Sequence, residues 1–467
     1  MSYPGYLGLV IVLCILAVYF LRLNCLYVLF VDAFVQNTAL PLLYTSFGAS
    51  RSLVASLLIS KEILLFVLFI YCVYLWRHEV QRPWPKPLYA LFVFTSYCVL
   101  RVGIGLLFLG DDPWLSFRRL RLACLPLQFL IIAITVARTE PEFARKFLRQ
   151  MTFLLAFLAL VGILMFMLPP SDFWMSHANM ADYGMEVKGY DPSEFVESEG
   201  IGNTSAGREA FLFLSSFRAF GTFGDPLAMG FALSAPFLLL AFFYLKRWFT
   251  DPLLVVLGLA VFVTFDRSVW IFLFVAGLFI LVRRRKYKLL AAFTLVPILA
   301  LLTIPPLAEF ARYEYEGLSW KNPENDHAQG IVWFYQRAFT DPGNIIGKGP
   351  DVSVEKIPES GYGFLAEHFG LAAYITWMWF LFSAYRYLRS RGPGQARLAL
   401  LSQAMILGIF VVMHFSHYPF AFIGWLPIWY LFGLTVAGKS AGFSMVAKPK
   451  AALAGHLPGL LPESDNA

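Results

Sequence analysis

Apolar residues in this chain come in near-continuous runs, at about 5–22, 25–44, 53–76, 87–109, 119–137, 147–169, 227–245, 251–265, 268–283, 287–305, 362–385, 398–414 and 419–437. Such runs present no polar face. Since roughly 20 residues cross a hydrocarbon core of about 30 Å, the pattern predicts a polytopic all-α membrane helix bundle of about 12–13 transmembrane helices. Two places leave the count open: Arg22 and Asn24 interrupt the N-terminal run, and Asp266-Arg267 divides two short ones.

Composition agrees with this pattern. Of the 467 residues, 59% are hydrophobic and 14% charged, with a mean hydropathy of +0.65. A soluble domain carries roughly a quarter charged residues, so a water-soluble enzyme or a nucleic-acid-binding module is excluded. The net charge of +7 first reports orientation. Basic clusters at Arg77/Arg82/Lys86, Arg138/Arg145/Lys146/Arg149, Lys246/Arg247, Arg283–Lys288, Arg386–Arg397 and Lys439–Lys450 alternate as one side, which predicts the cytoplasm. Two long loops, about 170–217 and 306–361, then face outward.

The expected organisation is membrane helices over 1–169, a first extracytoplasmic loop and re-entry motif over 170–226, and central helices over 227–305. A second extracytoplasmic loop over 306–361, C-terminal helices over 362–437 and a cytoplasmic tail over 438–467 complete it. Met1 to Leu23 lacks a basic n-region and a small-residue cleavage site, so it reads as a retained span. The five cysteines lie within the first 124 residues without metal-ligand spacing, and neither a disulfide nor a structural metal is expected.

Both long loops are acidic: eight Asp or Glu stand against Lys188 and Arg208 in the first, nine against five bases in the second. Both are also rich in aromatics, such as Trp174, Tyr183 and Tyr190, then Tyr313, Trp320 and Trp333. Aromatic faces rimmed by carboxylates suit sugar rings, and they equally suit loop cores and interfacial belts.

Arginines on the outward side run against the positive-inside rule and are therefore informative. Arg118, Arg119 and Arg121 follow the turn Gly110-Asp111-Asp112-Pro113; Arg218 precedes a helix beginning at Pro226; Arg267 stands between two short spans. Guanidinium makes bidentate bonds to phosphate, and a helix start after the turn 221–226 adds backbone donors. Together these outline an anion site fit for a lipid-linked diphosphate. The plainer readings are that Arg267 pairs with Asp266 and that the 118–121 cluster meets lipid headgroups.

Further charges fall inside the runs: Asp32, Lys61, Glu62 and Arg101. They read as interhelical polar contacts, with Asp32 as a partner for Lys61, or as a proton path in a transporter. His414 and His417 share a helix face but lack a carboxylate to complete a metal set, and His327 is a polar loop candidate.

Three segments resemble the O-antigen ligase and O-antigen polymerase superfamily. Arg-Ala-Phe-Gly-Thr-Phe-Gly-Asp-Pro (218–226) is similar to its R-x-x-G-x-F-x-x-P segment, and Asp266-Arg267-Ser268-Val269-Trp270 to its S-R-[SG]-x-W stretch. Gly347-Lys348-Gly349-Pro350 with Glu367-His368-Phe369-Gly370-Leu371 looks like its loop-closing pattern. The segments come in the family's order over about 210–385. Ligases of the family carry a histidine at the end of the large loop, where this chain reads Glu359-Ser360-Gly361-Tyr362; that departure favours a polymerase.

The resemblance implies an inverting, metal-independent membrane glycosyltransferase of the bacterial inner membrane, joining undecaprenyl-pyrophosphate-linked repeat units on the outer face without a cofactor. Arg218 and Arg267 would stabilise the diphosphate and Glu359 would orient the acceptor. Arg118, Arg119, Arg121, Asp225, His327 and Tyr362 would line the substrate path. Membrane lipids are expected partners, as are chain-length regulator and flippase proteins, and nucleic acid is not. A ligase with a lipid or protein acceptor, and a polysaccharide flippase or exporter, are the alternatives.

Overall fold

Helices joined by short turns make up the described fold, with no strand among the described residues. The computed structural model describes residues 3–80, 83–167, 183, 186–187, 226–243, 250–264, 266–292, 294–295, 336, 340, 343–349, 360–391, 396–414, 416 and 422–438. The long elements are α1 (Tyr3–Leu21), α2 (Cys25–Thr45), α3 (Arg51–Leu58), α4 (Ser60–Leu75), α5 (Lys86–Ile104), α6 (Pro113–Thr139) and α7 (Pro141–Met167). They are followed by α8 (Pro226–Phe243), α9 (Thr250–Phe262), α10 (Arg267–Arg283), the short α11 (Gly343–Ile346), α12 (Gly361–Phe369), α13 (Leu371–Arg389), α14 (Ala396–Val412) and α15 (Phe422–Ala437). The chain is an all-α polytopic membrane bundle: five of its helical stretches have the length and apolarity to cross a bilayer, and shorter apolar helices accompany them.

The N-terminal run is a hairpin. Arg22 takes a left-handed conformation (φ +50°) between α1 and α2. Cys14 and Asp32, about equally far on either side of that break, both reach Ser60: the thiol donates to its carbonyl at 3.7 Å, and its hydroxyl donates to Asp32 Oδ2 at 2.7 Å.

The centre of the bundle is built on α15, which packs along α6 and α8. Its aromatic residues Trp425, Trp429 and Phe432 are buried and meet Phe231, Phe272, Trp377 and Phe380, with Phe231 and Trp425 ring centroids 4.6 Å apart. Small residues allow the close approach, since a Cβ on Gly433 would lie 2.5 Å from that of Ala133. Outward-facing Leu, Ile and Phe on α1, α4, α5, α7 and α9 stay exposed, as expected of side chains whose solvent is lipid.

Among the described residues, the basic clusters gather at one end of the bundle. Arg138 of α6 lies over the Trp76 ring at 4.7 Å, Arg284 donates to the Phe242 carbonyl at 2.7 Å, and Arg391 donates to the Val436 carbonyl at 2.6 Å. Helix ends far apart in sequence thus meet in pairs, each with an arginine on a free C-terminal carbonyl or an aromatic face. The candidate site lies at the opposite end.

Two runs are broken where hydropathy predicts continuity. Run 53–76 splits at Ile59 into α3 and α4, and run 362–385 splits at Gly370 (φ +92°) into α12 and α13. Broken helices inside a membrane protein expose backbone groups at depth and need protein partners there.

Candidate functional site

Arg101, near the end of α5, ties that helix to the turn at Asp111 and to the distant segment at Ile346 and Gly347. Its Nε donates to the Ile346 carbonyl at 2.8 Å, Nη2 to the Gly347 carbonyl at 2.8 Å, and Nη1 to Asp111 Oδ2 at 3.0 Å. The guanidinium side chain is only 2% exposed. A planar fork with five donors can satisfy two carbonyls and a carboxylate at once, which an ammonium cannot do with the same geometry.

The loop held by this fork requires glycine. Gly347 (φ +89°) approaches Gly370 so closely that a Cβ on it would stand 2.6 Å from the Gly370 nitrogen, and a Cβ on Gly349 (φ +92°) would meet Asp111 at 2.8 Å. The Lys348 amide donates to the Glu367 carbonyl at 2.6 Å, while its ammonium lies 3.9 Å from Glu367 Oε1. His368 Nδ1 is 2.8 Å from the Gly349 carbonyl. A carbonyl only accepts, so Nδ1 is the donor in this contact.

Arg119 of α6 joins the same group, its guanidinium 5.5 Å above the Phe364 ring, and Phe364 in turn lies 4.7 Å from His368. Segment 346–349 and segment 367–370, some twenty residues apart, therefore form one knot with Arg101, Asp111 and Arg119 around it. Arg101 belongs among the residues that shape the site, although its position inside an apolar run gave it the reading of a mere interhelical contact. The signal available in the sequence was a lone arginine nine residues, about two and a half helical turns, before the exterior Gly-Asp-Asp turn.

Arg267 begins α10, and Asp266 caps that helix by accepting from the Val269 amide at 2.9 Å. Helix α8 begins at Pro226, as expected. Arg218, Asp225, His327 and Glu359 lie outside the described residues. Ser360, the neighbour of Glu359, is the cap of α12, accepting from the Gly363 amide at 3.2 Å. Tyr362 is buried at 1% exposure and donates its hydroxyl to the Phe410 carbonyl at 2.9 Å, with His414 edge-on to its ring. Tyr183 of the first long loop packs with Leu40 and Val54, a loop-core role.

The remaining intramembrane charges form a second group. Lys61 donates to Gln36 and, at 3.0 Å, to the Leu58 carbonyl, and lies 3.8 Å from Glu62. Asp32, expected to face Lys61, lies within electrostatic reach of it and accepts from the adjacent Ser60 at 2.7 Å. Glu62 pairs with Arg121 at 2.9 Å, so one member of the 118–121 cluster has a carboxylate partner, while Arg118 is exposed. Among the described residues, no group of three or more His, Cys, Asp or Glu is placed to hold a metal ion.

No family model, curated protein or solved structure matches this chain. The functional reading therefore rests on the residues and on the knot they form.

Proposed function

We propose that this chain is a polysaccharide polymerase that joins lipid-diphosphate-linked repeat units at the outer face of a bacterial inner membrane. The observation that carries the reading is the knot itself. Two segments that resemble the polymerase and ligase superfamily pack together at the end of the bundle opposite the basic clusters, beside Arg119, Lys348 and His368. That end is the outer one by the positive-inside rule.

In this reading Arg218 and Arg267 hold the diphosphate and stabilise the charge that develops as the anomeric C–O bond breaks, a preorganised electrostatic role. Glu359, next to the α12 cap, orients the acceptor hydroxyl at the mouth of the site. One observation favours a ligase as the second reading: the break at Gly370 sets His368 directly ahead of the span α13, close to where ligases of that superfamily carry their histidine.

Purified protein given lipid-linked repeat units separates the two. A polymerase lengthens them without a second acceptor, and a ligase leaves them unchanged until an acceptor is added. Absence of transfer under both conditions would remove the glycosyltransferase reading. Arg267→Lys is expected to lower the rate about a hundredfold or more, because the ammonium keeps the charge and loses the fork. Full activity of a folded Arg267→Lys protein would leave only a general electrostatic role.

A further inference from the structure

A cleft of about 240 Å³ opens between α4 and α6. Glu62, Leu65 and Phe66 form one wall, and Phe117, Arg121, Cys124 and Gln128, spaced by three or four residues, mark the other. From Phe117 to Gln128 the helix rises about 16 Å, the depth of one leaflet of a hydrocarbon core about 30 Å thick. Phe66 (52% exposed) and Phe117 (59% exposed) stand at its rim and face away from the protein.

Depth can be read along α6. Twenty residues separate Arg118 from Arg138, about 30 Å of helix. With Arg138 at the basic end, Arg118 reaches the opposite headgroup layer, and Arg121 lies about one turn below, able to extend toward it. Of the nearby acids, Asp112 caps α6 through the Leu115 amide at 2.7 Å, and Asp111 is held by Arg101. Arg119 is turned over Phe364. At this end of the helices Lys61, Arg101, Arg118, Arg119 and Arg121 stand against Asp32, Glu62, Asp111 and Asp112, which leaves one net positive charge, and Arg118 is exposed one turn above Arg121.

We infer that this cleft binds one anionic phospholipid, its acyl chain lying along the groove toward Gln128 and its phosphodiester on Arg118 and Arg121. One net positive charge complements one phosphodiester rather than a diphosphate, and the groove length complements one acyl chain within its leaflet. The inference stands on α4 and α6 and is independent of the glycosyltransferase reading.

The test titrates the delipidated full chain in detergent with dioleoyl phosphatidylglycerol, dioleoyl phosphatidylcholine or undecaprenyl diphosphate, followed by native mass spectrometry. Phosphatidylglycerol is expected to bind at least fivefold tighter than phosphatidylcholine. Arg118→Gln, a change at an exposed side chain, should weaken it about fivefold, the effect of one arginine at a membrane surface. Leu120→Trp, which fills the groove, should abolish the first bound lipid. Cys124 reports occupancy directly, because the other four cysteines are buried; its alkylation by N-ethylmaleimide should slow with phosphatidylglycerol and not with phosphatidylcholine. Equal binding of the two lipids, or unchanged binding by Arg118→Gln, would overturn the site. Preferential capture of undecaprenyl diphosphate, lost in the same variants, would overturn the phospholipid assignment.

Discussion

Arg101 and Arg121 stand at similar heights above the basic end, about 22 and 25 Å of helix from Lys86 and Arg138 respectively, yet they are set in opposite surroundings. The Arg101 and Asp111 side chains are 2% and 8% exposed, and two backbone carbonyls complete the fork. Arg121 is 40% exposed and meets Glu62 on a lipid-facing cleft. A charge at this depth is tolerated in either of two ways: every donor is satisfied inside the protein, or the long side chain stays within reach of the headgroups. The first way fixes distant segments in place. The second leaves charge available to something outside the protein.

Arg101→Met tests the first way and carries the largest expected effect. It strands Asp111 and two carbonyls in a buried setting, and breaking a buried pair costs about 3–5 kcal/mol. Denaturation in detergent should register it, and Arg101→Lys should recover less than half of the loss. A variant with the parent's midpoint would mean that the knot does not hold the bundle together.

A smaller effect sharpens the same point. Gly347→Ala introduces both a left-handed φ and a 2.6 Å clash with the Gly370 backbone, whereas Gly48→Ala meets the first problem alone, with open space around its Cβ at φ +63°. The first change should cost about 1–3 kcal/mol more than the second, the size of a forced overpacking. Equal losses in thermal unfolding would show that the close approach of the two segments contributes nothing.

Arg121→Gln should change stability least, by no more than about 1 kcal/mol, since a half-exposed ion pair is worth little. A loss near that of Arg101→Met would collapse the distinction between the two regions.

Hydropathy alone placed the helices closely. Runs at 227–245 and 268–283 became Pro226–Phe243 and Arg267–Arg283, because a span must be apolar over its length whatever its neighbours are. The structure adds that Asp266 and Ser360 cap their helices, each accepting from the amide three residues on, a role the sequence reading did not assign to either. The breaks at Ile59 and Gly370 stayed hidden, since an apolar run reads the same whether it is one helix or two.

What the sequence by itself determined is the class: an all-α bundle in a membrane, with its basic connections at one end. That follows from the chain's apolar content, since water cannot serve as the solvent for surfaces of this kind. Tertiary structure alone decided which polar groups meet. Arg101 reaches the Gly347 carbonyl across 246 positions, and hydropathy, which separates water from everything apolar, cannot distinguish a helix face turned to lipid from one turned to protein. Arg101 and Arg121 look alike along the chain, and packing makes one a clamp and the other a headgroup-facing charge.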